Sequence, residues 1–220
     1  MPISRHELYD ALAQVGQALS NGNRLELLER LAQAEAPVES LAQAADLSVA
    51  NASQHLQQLR RAGLVAARRE GRQMIYRLTD ERIVVLMGLL REIAERNVAE
   101  VERLVGQLFA DEETDGEALE PISREALRRR LQQGDIALLD VRGEEEYRAG
   151  HLPGAINLPF ERLEAMLDQL PKDQEIVAYC RGVYCVTSHR AVQLLRRRGF
   201  RVRRLEDGVP EWKAAGLPLE

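Results

Sequence analysis

Hydrophobic positions along this chain keep a mostly helical rhythm in the first half, and in the second helical stretches alternate with short strand-like runs. Leu8, Leu12, Val15 and Leu19 recur at steps of three and four, and Leu25, Leu28 and Leu31 at steps of three. Each set lies on one face of a helix. "PVESLAQAAD" predicts a further helix with Pro37 in its first turn. "DLS" then predicts a short turn, with Ser48 as N-cap of the helix "VANASQHLQQLRRA", which stops at Gly63. Two alternating runs follow, "LVAARRE" and "QMIYRLT", joined by "EGR"; they predict a hairpin with an arginine-rich tip. From Glu81 to Phe109 the residues Ile83, Leu86, Leu90, Ile93, Asn97, Val101, Leu104 and Leu108 form a near-continuous helical seam with one polar interruption. That seam is longer than a small domain needs to cover itself, so a homodimer through residues 81–109 is expected.

"ADEETDGEALEP" interrupts these patterns with six acids and no base, and predicts a linker. Beyond it, helical stretches alternate with short apolar runs. "SREALRRRLQQG", "ERLEAMLDQLP" and "SHRAVQLLRRRGF" read as helices, and "IALLDVR", "EIVAYC" and "RVRRLEDG" as strands, with a further short strand in "GHLPGAINLP". Such alternation argues for a parallel α/β sheet, whose ligands bind beyond the carboxyl ends of the strands. The expected organisation is a helical domain with a hairpin and a dimerisation helix over 1–110, an acidic linker over 111–120 and an α/β domain over 121–220.

Charge sharpens the first half. The chain of 220 residues has a net charge of −5, unlike a general nucleic-acid binder. Between Gln54 and Arg77, however, stand Arg60, Arg61, Arg68, Arg69, Arg72 and Arg77 against the single acid Glu70. In the helix before the hairpin, Ala52, Leu56 and Leu59 face inward. Asn51, Gln54, Gln58 and Arg61 take the opposite face, with Ser53, His55 and Gln57 at its flanks. Amides and guanidinium groups suit base edges in a major groove, and the absence of acids suits a surface facing phosphates. Arg68, Arg69 and Arg72 on the hairpin would hold the backbone of double-stranded operator DNA.

The blocks "RLELLERLA" and "SVANASQHLQQLRRAGLVAARREGRQMIYRL", with the long helix after them, resemble the ArsR-type winged helix-turn-helix repressors over residues 5–108. The resemblance implies an all-α winged-helix domain with a β-hairpin wing, homodimers on palindromic operators, and release by an inducer. By position, Ser53, Gln54 and His55 correspond to that family's recognition-helix contacts. Many members sense metals, but residues 1–117 hold no cysteine and only two histidines, His6 and His55. A soft-metal site in this half is excluded, so the input signal must enter elsewhere.

Both cysteines, Cys180 and Cys185, lie in "IVAYCRGVYCVTS". A disulfide, half of a metal site, a nucleophile with a partner, or two small buried side chains are the alternatives. With no secretion signal and no apolar run long enough for a membrane, a cytoplasmic protein with no membrane partner is expected, where a permanent disulfide is disfavoured. Cys180 ends a strand and leads towards a helix, so loop amides, the helix dipole and Arg181 are expected to favour its thiolate.

The segments "LLDVRGEEEYRAGHLPGAINLP", "VAYCRG", "LLRRRGF" and "LEDGVPEW", in this order, resemble a rhodanese (sulfurtransferase) domain over residues 118–220. The resemblance implies that Cys180 takes sulfane sulfur as a persulfide, within the loop of Arg181, Gly182, Val183 and Tyr184. It also implies that Asp140, Arg142, Glu146 and His151 are mainly scaffold, with Arg142 nearest the site. The loop departs from the common pattern, because Cys185 stands where many rhodaneses carry an arginine. That puts efficient turnover of an anion such as thiosulfate in doubt and supplies a second thiol able to resolve Cys180. The expected function is a DNA-binding regulator whose rhodanese half senses or carries sulfane sulfur, with a sulfane-sulfur donor or thiol acceptor as its small partner. A thiosulfate or persulfide sulfurtransferase, localised or dimerised by its winged helix, is the alternative. No cofactor and no metal is called for.

Overall fold

The structure is a computed structural model that describes residues 4–109 and 120–220, so the linker expected at 111–120 lies outside the described residues except for Glu120. The chain divides into two compact units, Met1–Leu90 and Arg91–Glu220.

In the first unit α1 (Arg5–Leu19) opens on a capping box in which Ser4 and Glu7 satisfy each other's backbone amides. Then come α2 (Gly22–Gln33), β1 (Ala36–Pro37), α3 (Val38–Ala44), α4 (Val49–Arg61), β2 (Val65–Glu70) and β3 (Gln73–Leu78). Ser48 caps α4 as expected, its side chain accepting from the Asn51 amide, and Gly63 takes the left-handed conformation just past the helix end. Pro37 stands one residue outside α3, as its N-cap. β2 and β3 form the hairpin, and β1 adds to β3 as a third antiparallel strand. Two residues are too few to show an alternation, so β1 has no sequence signature. Leu27, Leu28, Leu41, Ala52, Leu56 and Leu59 make the core. Leu8 and Leu12, by contrast, are 55% and 59% exposed.

The seam expected over 81–109 is two helices, α5 (Arg82–Asn97) and α6 (Ala99–Leu108). Val98 is extended, with φ −118° and ψ 98°, and the Asn97 side chain donates to the Ile93 carbonyl at 2.8 Å. A side-chain amide bonding the backbone in this way competes with continued helix. The division between units falls inside α5, ahead of the acidic linker, because residues from Arg91 onward pack within the second unit.

The second unit continues with α7 (Arg124–Gln133), β4 (Ile136–Asp140), α8 (Glu144–Ala149), β5 (Ile156–Asn157) and α9 (Phe160–Leu163), followed by a 3-10 segment (Glu164–Gln169). It ends with β6 (Glu175–Tyr179), α10 (Val186–Arg197), β7 (Val202–Arg204) and α11 (Val209–Ala214). The helix expected from "ERLEAMLDQLP" breaks because Met166 leaves helical geometry. The strand expected over "RVRRLEDG" keeps only its first part. The short helices α8 and α11 have too few turns to show a period. The four strands lie in the order β5-β4-β6-β7, all parallel. Along β6, Ile176, Ala178 and Cys180 enter the core on one face of the sheet, with Leu163, Ala191 and Leu195. Val177 and Tyr179 enter the other, with Leu127, Leu152 and Trp212. A parallel sheet buried on both faces explains the unbroken apolar run in front of Cys180. No described helix is long and apolar enough to cross a membrane.

Candidate functional site

The first unit presents α4 and the hairpin. Asn51, Gln54 and Arg61 are exposed on α4, and Ser53 is half-buried beside them. Gln58 is not a free reading group. Its Oε1 accepts from Nη1 of Arg24 at 2.6 Å, and Arg24 is a buried cation whose other nitrogens donate to the carbonyls of Ala18 and Gln17. His55 likewise turns towards α2, with Nε2 3.4 Å from Asn23 Nδ2. On the hairpin, Arg68 forks onto Glu35 at 2.5 and 2.7 Å and reaches Glu70 at 3.0 Å. Arg69 bonds the Gly71 carbonyl at the tip, and Arg72 is exposed there. The partners on α2 and at Glu35 lie far away in sequence, which is why a reading of the helix alone treats Gln58, His55 and Arg68 as open.

The second unit builds a cysteine loop at the end of β6. Cys180 is 1% exposed and packs into the core, whereas Cys185 is half-buried. The Arg181 amide and charge favour the Cys180 thiolate, as expected, but the helix start stands at Cys185 and burial opposes the anion at Cys180. Gly182–Cys185 closes a turn, in which the Cys185 amide donates to the Gly182 carbonyl at 3.1 Å, and Cys185 is the N-cap residue of α10. The two thiols act on each other's protons. Cys180 brings the Cys185 thiol down to about 5, against its burial, with further help from the Ser188 and Arg181 amides and the Thr187 hydroxyl. Cys185 in turn, together with burial, pushes the Cys180 thiol up. The two thiols therefore titrate as a coupled pair, in which the more exposed Cys185 is the one held low and the buried Cys180 the one held high.

Four groups from elsewhere in the unit hold this loop. Glu146 on α8 pairs with Arg181, one bond from Nε being 2.8 Å, and raises that guanidinium's affinity for its proton. Nη1 of Arg204 on β7 donates to the Val183 carbonyl at 2.7 Å, and its guanidinium lies over the Phe109 ring at 5.3 Å. The Tyr184 hydroxyl donates to Glu95 Oε1 at 2.5 Å, with Arg91 over its ring at 5.9 Å. Gly208 sits so close to the loop that a Cβ there would lie 2.5 Å from the Arg181 carbonyl and the Gly182 nitrogen.

The four residues expected as scaffold divide accordingly. Asp140 and Arg142 form a buried ion pair, with Arg142 also donating to the Gly150 carbonyl at 2.9 Å. His151 stacks on Tyr147 at 3.6 Å and bonds its carbonyl. Glu146 alone of the four reaches the cysteine loop. Nothing local in the sequence singles out Glu95, Arg204 or Gly208; "LEDGVPEW" contains the glycine, but its neighbours do not show what it meets. Among the described residues, no group of three or more His, Cys, Asp and Glu side chains is placed to hold a metal.

Comparison with known proteins agrees with both halves. A helix-turn-helix domain model matches residues 19–68, and a rhodanese-like domain model matches residues 123–215. The chain is 44% identical to the HTH-type transcriptional regulator Rv0324 of Mycobacterium tuberculosis over 97% of its own length and 92% of that protein's. Over 100 residues it is 34% identical to a sulfurtransferase of Allochromatium vinosum, covering 44% of this chain and 92% of that one. The winged helix-turn-helix DNA-binding domain of Mb0332 from Mycobacterium bovis is 40% identical, covers 44% of this chain and 91% of its own, and superimposes with a TM-score of 0.41. The chain belongs to the ArsR-type helix-turn-helix transcriptional regulators that carry a rhodanese-like domain.

Proposed function

We propose that this regulator responds to sulfane sulfur through Cys180 and Cys185. A persulfide on Cys180, or a bridge from it to Cys185, changes the protein's affinity for its operator. The observation that carries the proposal is the placement of the chain's two thiols at the two ends of one loop of the rhodanese half, Cys180 buried after β6 and Cys185 half-buried at the start of α10. The winged-helix half has no cysteine with which to sense anything. On the DNA side, Asn51, Ser53, Gln54 and Arg61 face the bases, and Arg69 and Arg72 hold phosphates. His55, Gln58 and Arg68 reach DNA only by leaving Asn23, Arg24 and Glu35. The protein acts as a homodimer, which covers the exposed Leu8, Leu12, Leu86 and Leu90 and suits a palindromic operator. The test is titration of operator DNA with reduced and with polysulfide-treated protein. The two forms are expected to differ at least several-fold in affinity, and equal affinity overturns the proposal.

A second reading, a sulfurtransferase, is favoured by the likeness over 100 residues to the Allochromatium vinosum sulfurtransferase. It requires turnover with thiosulfate, polysulfide or glutathione persulfide that Cys180→Ser abolishes. Absence of turnover in the wild-type protein rejects it and leaves the regulator standing.

A further inference from the structure

We infer that Arg24 is a positioning residue for operator recognition: through Gln58 it fixes α4 against the end of α1, and Gln58 serves that hold and reads no base; this rests on the DNA-binding role given to α4 above. Arg24 stands in the first turn of α2, where its own amide donates to the Asn21 side chain that caps the helix. From there the guanidinium reaches three acceptors on two other helices. Nε donates to the Ala18 carbonyl at 2.5 Å and Nη2 to the Gln17 carbonyl at 2.8 Å, both in the last turn of α1. Nη1 donates to Gln58 Oε1 on α4 at 2.6 Å. Carbonyls in a last helical turn lack the amide four residues on, and the helix dipole favours a cation there. The two α1 carbonyls therefore seat the guanidinium, and its third bond goes to α4. Arg24 is 8% exposed, so the link is shielded from water, which strengthens each of its bonds.

Apolar packing alone does not fix α4. Ala52, Leu56 and Leu59 are fully buried, but burial is non-directional and tolerates small rotations and slides of a helix. Hydrogen bonds to base edges do not tolerate them, because they need separations of about 2.7–3.2 Å and near-straight geometry. Gln58 lies one turn beyond Gln54 and one turn before Arg61, two exposed side chains offered to DNA, so a bond at Gln58 sets where both of them stand. Asn23, next to Arg24, lies 3.4 Å from Nε2 of His55, one turn earlier on α4, and adds a weaker tie from the same turn of α2. Swinging Gln58 out to a base would strand a buried, charged donor, which makes it the costlier arrangement. On its other side Arg24 holds α1, the helix whose exposed Leu8 and Leu12 the homodimer covers in the reading above. One buried guanidinium thus joins the helix assigned to the dimer to the helix assigned to the bases.

The probe is the duplex that the full-length wild-type protein selects from a random-sequence library, together with each single-base-pair variant of it. Affinities are measured for the wild type, Gln58→Ala, Gln58→Glu, Arg24→Lys and the double variant Arg24→Lys with Gln58→Ala, each shown to be folded by circular dichroism. Lysine keeps a cation near the α1 carbonyls but has no fork with which to serve three acceptors. Gln58→Ala and Arg24→Lys are each expected to weaken binding to all the duplexes by a common factor of about tenfold, with the order of base preferences unchanged. The double variant is expected to bind no more weakly than either single one, because both remove the same link. Gln58→Glu keeps an acceptor for Arg24 and is expected to bind more tightly than Gln58→Ala, even with a carboxylate on a helix that faces phosphates. Loss of preference at one base pair in Gln58→Ala, or weaker binding by Gln58→Glu than by Gln58→Ala, makes Gln58 a reading residue; either result overturns the inference and leaves the DNA-binding role of α4 standing. Additive losses in the double variant overturn it as well. If Arg24→Lys does not fold, the two Gln58 variants decide by the same criteria. A wild-type protein that selects no sequence removes both the role of α4 and the inference built on it.

Discussion

The hydroxyl of Tyr184, the residue just before Cys185, donates a 2.5 Å hydrogen bond to the Glu95 carboxylate on α5. Tyr184 thus ties the cysteine loop to a helix outside it. A hydrogen bond to a charged acceptor contributes about 1.5–3 kcal/mol. Tyr184→Phe is expected to leave sulfur loading of the cysteines intact and to narrow the operator-affinity difference between reduced and polysulfide-treated protein. Parallel mass mapping and operator titration of the variant check both halves of that expectation.

Gly208 approaches the Arg181–Gly182 peptide too closely for any side chain. Its backbone is not left-handed, so the requirement is space rather than conformation. The atoms a Cβ would strike are backbone, which cannot rotate away. Gly208→Ala is expected to cost on the order of 1–3 kcal/mol and to disturb the thiol pair. Denaturant unfolding, with the alkylation rate of Cys185 measured alongside, reports both effects.

Asp140 is fully buried and Arg142 nearly so, and each is the other's ion-pair partner. Arg142→Ala leaves a buried carboxylate without its cation, a loss of about 3–5 kcal/mol. Arg142→Ala with Asp140→Asn should recover part of that loss, since no charge is then stranded. A double-mutant cycle by chemical denaturation measures the recovery, and its absence contradicts the pair's assigned role.

The wing arginines should separate in a salt titration of operator binding. Arg72 is exposed at the tip, while Arg68 already serves Glu35 and Glu70. Arg72→Ala is expected to lower affinity and to flatten the dependence of log K on log salt by about 0.9 for each phosphate that the side chain neutralises. Arg68→Ala is expected to change the slope less. Equal changes would mean that Arg68 abandons Glu35 when DNA binds.

Much of this protein is legible in its sequence, because local signals decide it. The capping residues Ser4 and Ser48, the apolar face of Ala52, Leu56 and Leu59, the arginine-tipped hairpin and the apolar strand before Cys180 each act within a few residues. They specify a winged helix followed by an α/β half, and they place both thiols on one loop. What the sequence does not carry is who meets that loop. Glu146, Arg204 and Glu95 stand 35, 21 and 89 residues from the loop atoms they bond, and no periodicity reaches across such separations. The tertiary structure alone decides that Cys180 is submerged while Cys185 stays half-buried. The reason is geometric: the strand's alternation turns Cys180 into the core, and the tight turn from Gly182 brings Cys185 to the first amides of α10. The chemistry of the pair thus follows from two thiols of one residue type being given opposite surroundings by the fold.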